Sequence, residues 1–227
     1  LLKNYQKNKK VIYQIKPVLG KKTKESLINY IKKDNWLTEH NITKKFEKRF
    51  SKFTNSKHCI CFPNGTLTMS SILDCLDLKK KDEVLVSNYT MVATANVANL
   101  VGLKTKLVDI SEKDLCMCPK DLIRKINKRT KVVIFTQMNG RAGQIELIKK
   151  ICKRKKLFLI EDSAHAIGTF NKKIHVGNSG IASSFSFSMP KLITMGQGGA
   201  VITNNDKLAK KLRLYKNFGR KKSGEDI

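Results

Sequence analysis

Along this 227-residue chain, short runs of consecutive apolar residues alternate with longer stretches whose apolar positions recur every three or four residues. Leu27, Tyr30 and Ile31 mark one helical face near the start, and Phe46, Phe50 and Phe53 mark a second. Beyond them the pattern predicts a strand at 59–62, a turn at Asn64-Gly65 and a helix over 66–78. A strand at 84–86 then leads to a helix over 90–101, stopped by Gly102, and a strand at 105–108. Pro119 opens a short helix, since proline suits the first turn. A strand at 132–136, a helix over 145–155 and a strand at 157–160 follow, then strands at 183–187 and 200–203 and a basic helix over 206–216. Apolar strands alternating with helices indicate an α/β fold: three layers, α/β/α, around a largely parallel mixed sheet buried on both faces. Ligands of such sheets bind beyond the carboxyl ends of the strands, so chemistry is expected just after each apolar run.

Hydrophobic residues make up 41% of the chain, enough for one sizeable core. No apolar run approaches the ~20 residues that span a bilayer. The opening segment Leu1–Lys10 is polar and basic and lacks the signature of a secretory signal. A soluble, cytoplasmic protein with no membrane contact is the expectation. Six cysteines include two C-x-C pairs, Cys59/Cys61 and Cys116/Cys118. Metal sites more often use C-x-x-C, so reduced thiols and no metal are expected. Lysine and arginine number 46 against 18 acidic residues, for a formal charge of +28. Such an excess can mark a nucleic-acid binder. Here, however, the cations run along the whole chain and collect on helices and their ends, as in Lys149, Lys150, Lys153, Arg154, Lys155 and Lys156. Aromatics are 7% and do not interleave with them as base stacking requires. Nucleic acid is not an expected partner, although the charge could steer an anionic substrate.

Three strand ends carry candidate chemistry. In the first, Phe62-Pro-Asn-Gly65-Thr66, a strand runs through a tight turn into a helix whose N-terminal N–H groups suit a phosphate. Asn-Gly is equally an ordinary turn. In the second, the apolar run 157–160 presents Glu161 and Asp162, and His165 follows three residues later. An aspartate beside a pyridine nitrogen keeps it protonated and makes the ring an electron sink. The alternative is a helix cap with His165 satisfied in the core. In the third, four serines among residues 183–188 precede Pro190-Lys191, and a glycine cluster, Gly196, Gly198 and Gly199, follows. Lysines are ordinarily solvated surface groups, but one in a partly apolar pocket has a lowered pKa and can form a Schiff base. The glycines do not complete a dinucleotide fingerprint, which disfavours a nicotinamide fold.

Taken together these segments resemble the DegT/DnrJ/EryC1/StrS sugar aminotransferases, pyridoxal-phosphate enzymes of the aspartate-aminotransferase-like fold type I. The resemblance runs through Asn64-Gly-Thr66, Ser87-Asn-Tyr89-Thr-Met-Val-Ala-Thr94, Val108-Asp109-Ile110 and Gly140. It continues through Glu161-Asp162-Ser-Ala-His165, Ser186-Phe187, Lys191 with its glycines, and Leu214-Tyr-Lys-Asn-Phe-Gly219-Arg220. It implies that Lys191 is the Schiff-base lysine, that Asp162 pairs with the pyridine nitrogen, and that His165 sits near the ring and its phenolic oxygen. Gly65, Thr66 and Ser186 would hold the phosphate. Met91 falls where members usually carry an aromatic that stacks on the ring; a thioether can still pack there. Gln137-Met-Asn139-Gly140 replaces a more usual run containing histidine and tyrosine.

The implied activity is amino transfer, with glutamate as donor, to a nucleoside-diphosphate keto-deoxysugar of the kind used in polysaccharide biosynthesis. A branch with histidine in place of the lysine dehydrates its substrate, so Lys191 favours transamination. Residues 1–55 would be a helical segment packed on a pyridoxal-phosphate-binding large domain over 56–227, with a smaller C-terminal domain lying outside this chain. The full-length form would be a homodimer. The competing readings are a dehydratase or epimerase of the same family, and a non-catalytic regulatory or nucleic-acid-binding protein on the same scaffold.

Overall fold

The computed structural model describes residues 18–34 and 38–221, so Leu1–Lys10 lies outside the described residues. The chain divides into two units, the second beginning at Glu39. In the first, helix α1 (Lys21–Asp34) carries Leu27, Tyr30 and Ile31 at helical spacing. It ends with Lys32 and Lys33, whose charges suit the negative end of the helix dipole.

The second unit is built on a seven-stranded sheet. Its elements are α2 (Asn41–Thr54), β1 (His58–Phe62), α3 (Gly65–Asp74), β2 (Glu83–Ser87), α4 (Val92–Leu100), β3 (Lys104–Val108) and α5 (Pro119–Lys125). There follow β4 (Thr130–Thr136), α6 (Ile145–Lys155), β5 (Phe158–Asp162), the short hairpin β6 (Phe170–Asn171) and β7 (Ile174–His175), β8 (Ala182–Ser186), β9 (Gly199–Thr203) and α7 (Asp206–Lys216). The strand order is β1-β9-β8-β5-β4-β2-β3. All pairings from β8 to β3 are parallel, and only β9 runs against its neighbours. The expected three-layer architecture with a largely parallel mixed sheet is thus present.

Strand alternation sorts the core into two layers. On one face Ile60, Val84, Val86, Val132, Ile134, Ile160 and Val201 pack against Ile72 and Leu73 of α3, Val97 of α4 and Leu212 of α7. On the other, Leu85, Val133, Phe135 and Leu159 meet Leu122 of α5 and Ile145, Ile148 and Ile151 of α6. Over β1, β9 and β8 that second face is covered by α2. Phe50 meets the rings of Phe185 and Phe187 edge-on at 5.1 and 5.5 Å, an arrangement that adds to burial.

Both sheet edges are capped by side chains. At β1 the Glu47 carboxylate accepts the Cys61 N–H at 2.8 Å, and Arg213 donates to both Glu47 and the Cys59 carbonyl. At β3, Lys125 donates to the Leu107 carbonyl at 2.7 Å. Occupied edge groups and lysines remove the template for further strand pairing.

Two helix boundaries differ from the sequence pattern by more than one residue. α3 stops at Asp74, not at 78, because the chain leaves the helix in turns that bring Asp77 to a left-handed φ of 54°. α4 begins at Val92, not at 90, because Met91 is extended and caps the helix. All six cysteines are free thiols. Among the described residues no helix is long and apolar enough to cross a membrane, and no cluster of three or more metal-binding side chains forms.

Candidate active site

The carboxyl ends of β1, β2, β4, β5 and β8 lie at one end of the sheet. Because β9 is antiparallel, its start, Gly199, lies there too, paired with both Phe62 and Ser186. The end of β1 turns at Asn64, whose side chain accepts the Leu67 N–H at 2.9 Å and opens α3 at Gly65. Two glycines let the three strand ends approach. A Cβ on Gly199 would lie 2.5 Å from the Asn64 carbonyl group, and one on Gly65 would lie 3.0 Å from the Ser186 Cβ. The N-terminus of α3, half-buried Thr66 and the Ser186 hydroxyl thus share one corner. Beneath it the Thr68 hydroxyl donates to the Gly65 carbonyl at 2.6 Å, and the Ser184 hydroxyl donates in turn to Thr68.

Glu161 and Asp162 end β5 side by side and therefore point to opposite faces of the sheet. Asp162 faces α4. Its Oδ2 accepts the Thr94 hydroxyl at 2.7 Å and its Oδ1 accepts the Ala164 N–H at 3.2 Å. Glu161 faces the other way and is fully buried. Burial pushes its carboxyl pKa up, opposed by the N–H groups of Gly180, Gly177 and Ser179 and the Gln137 amide, which donate to it at 2.9, 2.9, 2.6 and 2.5 Å. Ser163 donates to Gln137 and accepts from the Ser183 hydroxyl at 2.7 Å. This polar layer fixes the ends of β4, β5 and β8 relative to one another.

Lys191 sits on the loop between β8 and β9. Phe187 holds that loop from below. Its N–H donates to the Gly198 carbonyl, and its own carbonyl accepts the Met195 N–H. Its ring is locked edge-on against Phe46 and Phe50. The Lys191 amine is half-buried, and burial lowers its pKa, opposed by the charge of Asp162. Burial also lowers the pKa of His165, helped by the charge of Lys191 and opposed by Asp162. The three groups are thus near enough to act on one another electrostatically. His165 Nδ1 is buried and makes no hydrogen bond among the described residues.

Of the residues singled out from the sequence, Gly65 and Thr66 open α3, Asp162 and Ser186 end β5 and β8, and Met91, His165 and Lys191 lie on the connections that follow strands. Met91 is 59% exposed, and its sulfur accepts the Ala93 N–H at 3.2 Å. Sequence reasoning did not single out Thr90 or Thr136, which stand behind Thr94, nor the buried layer of Gln137, Ser163 and Ser183. The spacing of Thr90 and Thr94, one helical turn, was the available signal. A separate concavity of about 420 Å³ at the amino end of β1 is lined by Lys44, Lys48, Lys57, His58 and Arg213 and lies away from this chemistry.

A family model described as the DegT/DnrJ/EryC1/StrS aminotransferase family matches residues 19–226. Among solved structures, PseC of Helicobacter pylori, an aminotransferase involved in pseudoaminic acid biosynthesis, is 28% identical with a TM-score of 0.86, over 92% of this chain and 57% of its own. An aminotransferase from Psychrobacter cryohalolentis is 26% identical with a TM-score of 0.87, over 90% and 52%. DesI, solved with its TDP-sugar product, is 25% identical with a TM-score of 0.82, over 87% and 50%. The chain therefore spans about half the length of these relatives. With the family model covering nearly all of it, the chain belongs to the DegT/DnrJ/EryC1/StrS aminotransferase family, whose cofactor is pyridoxal phosphate.

Proposed function

We propose that the chain forms the cofactor-binding part of an enzyme that moves an amino group from glutamate to a nucleoside-diphosphate keto-deoxysugar. The observation that carries this reading is the Lys191 amine, with its basicity lowered by burial, held beside Asp162 and His165 at the carboxyl ends of the strands. The residues fit the cofactor. Gly65 lets the Ser186 hydroxyl come close to the N-terminus of α3, where a phosphate would sit, His165 Nδ1 makes no hydrogen bond among the described residues, and burial lowers the pKa of the lysine.

When bound, pyridoxal phosphate supplies an aldehyde for the lysine and a protonated ring that draws electrons from the substrate's α-carbon. Asp162 would hold the proton on the ring nitrogen. Gly65, Thr66 and Ser186 would grip the phosphate through the α3 N-terminus and the hydroxyls. Lys191 Nζ, once released, would take the proton from the donor's α-carbon and return one to the new amine's carbon, as base and then acid. His165, with its pKa lowered, would stay neutral there and offer a ring nitrogen rather than a charge. The keto-sugar reading is supported by the products of relatives such as DesI, and the excess of cations suits a diphosphate.

Residues 56–227 would form the large domain, preceded by the helical segment 1–55. Leu192 and Ile193 on the lysine loop, and Met91 and Val92 at the start of α4, are exposed apolar residues that a second copy would cover in a homodimer.

The test is the visible spectrum of the protein with pyridoxal phosphate, for wild type and Lys191→Ala, before and after borohydride. A band present only in wild type and removed by borohydride is expected. A band in neither protein would overturn the reading. Release of 2-oxoglutarate from glutamate on adding a TDP- or UDP-linked keto-deoxysugar separates amino transfer from dehydration or epimerisation.

A further inference from the structure

Asp162 stands at the end of a chain of threonine hydroxyls drawn from three elements. Thr94 Oγ1, on α4, lies 2.7 Å from Asp162 Oδ2. Thr90 Oγ1, ahead of α4, lies 3.1 Å from Thr94 Oγ1, and Thr136 Oγ1, at the end of β4, lies 3.0 Å from Thr90 Oγ1. Thr94, Thr136 and Asp162 are 1%, 4% and 3% exposed. Each hydroxyl has one proton to give, and an ionised carboxylate only accepts. Thr94 must therefore spend its proton on Asp162, so Thr90 must donate to Thr94 and Thr136 to Thr90. The direction of all three bonds is fixed by the acceptor at the end.

We infer that Thr94 is a positioning residue for Asp162, and that Thr90 and Thr136 serve to aim Thr94. The inference rests on the reading of the site above. The Asp162 carboxylate faces a cation, Lys191, whose charge pulls on it, and a hydrogen bond from each side resists rotation. The Ala164 N–H holds Oδ1 at 3.2 Å, a longer bond than the 2.7 Å from Thr94 to Oδ2. Donation to a carboxylate is strongest at short distance and when the donor is itself polarised by a preceding hydrogen bond. The threonine chain thus sets the plane of the carboxylate, and with it the oxygen available to the cofactor's ring nitrogen. Because Thr136 pairs in register with Asp162 across β4 and β5, sheet and helix jointly hold one carboxyl group.

Two measurements test this. In crystals of the cofactor-free chain, Thr94→Val turns Asp162 to a different rotamer, whereas Thr94→Ser, which keeps the hydroxyl, leaves it in place. An unmoved Asp162 in Thr94→Val overturns the inference. With pyridoxal phosphate, fluorescence titration gives the dissociation constant in a double-mutant cycle. Thr94→Val weakens binding by about tenfold, the scale of one charge-assisted hydrogen bond, and Thr94→Ser stays within about twofold of wild type. In an Asp162→Ala background the same Thr94→Val change has less than about a twofold effect, because its acceptor is gone. An equal loss in both backgrounds would show a structural role and overturn the inference. If Asp162 rotates as expected but wild type itself does not bind pyridoxal phosphate, the positioning stands and the reading of the site fails.

Discussion

At the scale of single residues, Lys191 is set apart from the other cations by its surroundings. Only the unprotonated amine attacks an aldehyde, so a lowered pKa enlarges the reactive fraction at any given pH. Lys191 is therefore expected to be trapped by pyridoxal phosphate and borohydride at lower pH than the surface lysines, as mapped by mass spectrometry across a pH series. Asp162 works the other way, since its charge raises the amine's pKa. Asp162→Asn should move the onset of Lys191 labelling to still lower pH; an upward move would mean that Asp162 does not face the amine. Part of this site was legible in the sequence. The acidic pair after an apolar run and the lysine among serines and glycines both stood out. What the run could not say is which acid looks toward the lysine. Neighbours on a strand face opposite sides, and only the position of α4, with Thr94 against Asp162, decides it. Glu161 is instead spent on the turn at 177–180. Thr136 was illegible as a partner of Thr90 because 46 residues separate them.

Between elements, the connections are held by buried side chains as much as by the sheet. Asp121, in the first turn of α5, accepts the Asp109 N–H after β3 at 2.7 Å and pairs with Arg124 and Lys125. Burial pushes its carboxyl up, but the Asp109 N–H and the two cations outweigh that and hold it at about 2. A depressed carboxyl stabilises the fold above the pKa of the unfolded chain, and that contribution disappears as pH falls through the folded value. Asp121→Asn should thus be less stable than wild type at neutral pH. The gap should close between about pH 4 and about pH 2 in urea melts. A gap independent of pH would mean that shape, not charge, is what Asp121 supplies. The apolar runs made the large strands readable because they are buried on both faces. The β6–β7 hairpin was not readable, as two residues per strand set no period. Nor was the reversal of β9, since a buried strand has the same apolar run in either direction.

For the whole molecule, the formal charge of +28 comes from cations spread along the entire sequence. If it draws a diphosphate substrate toward the site, the effect acts over about a Debye length, roughly 10 Å at 0.1 M salt. The expected outcome is a kcat/KM for the nucleotide sugar that falls as salt rises while kcat holds steady. A flat response would leave the charge without a part in substrate capture. The sheet order carries a different consequence. Among the described residues β1 pairs with β9 alone, and the register joins His58 to Thr203 and Phe62 to Gly199. During synthesis β1 emerges early and must wait, unpaired along its length, until nearly the whole sheet has left the ribosome. The corner formed by Gly65, Ser186 and Gly199 cannot exist before that moment. If that corner grips the cofactor's phosphate as proposed, a nascent chain has no grip to offer until the strand beyond Lys191 has been made, and capture of the cofactor would report that translation has passed β9.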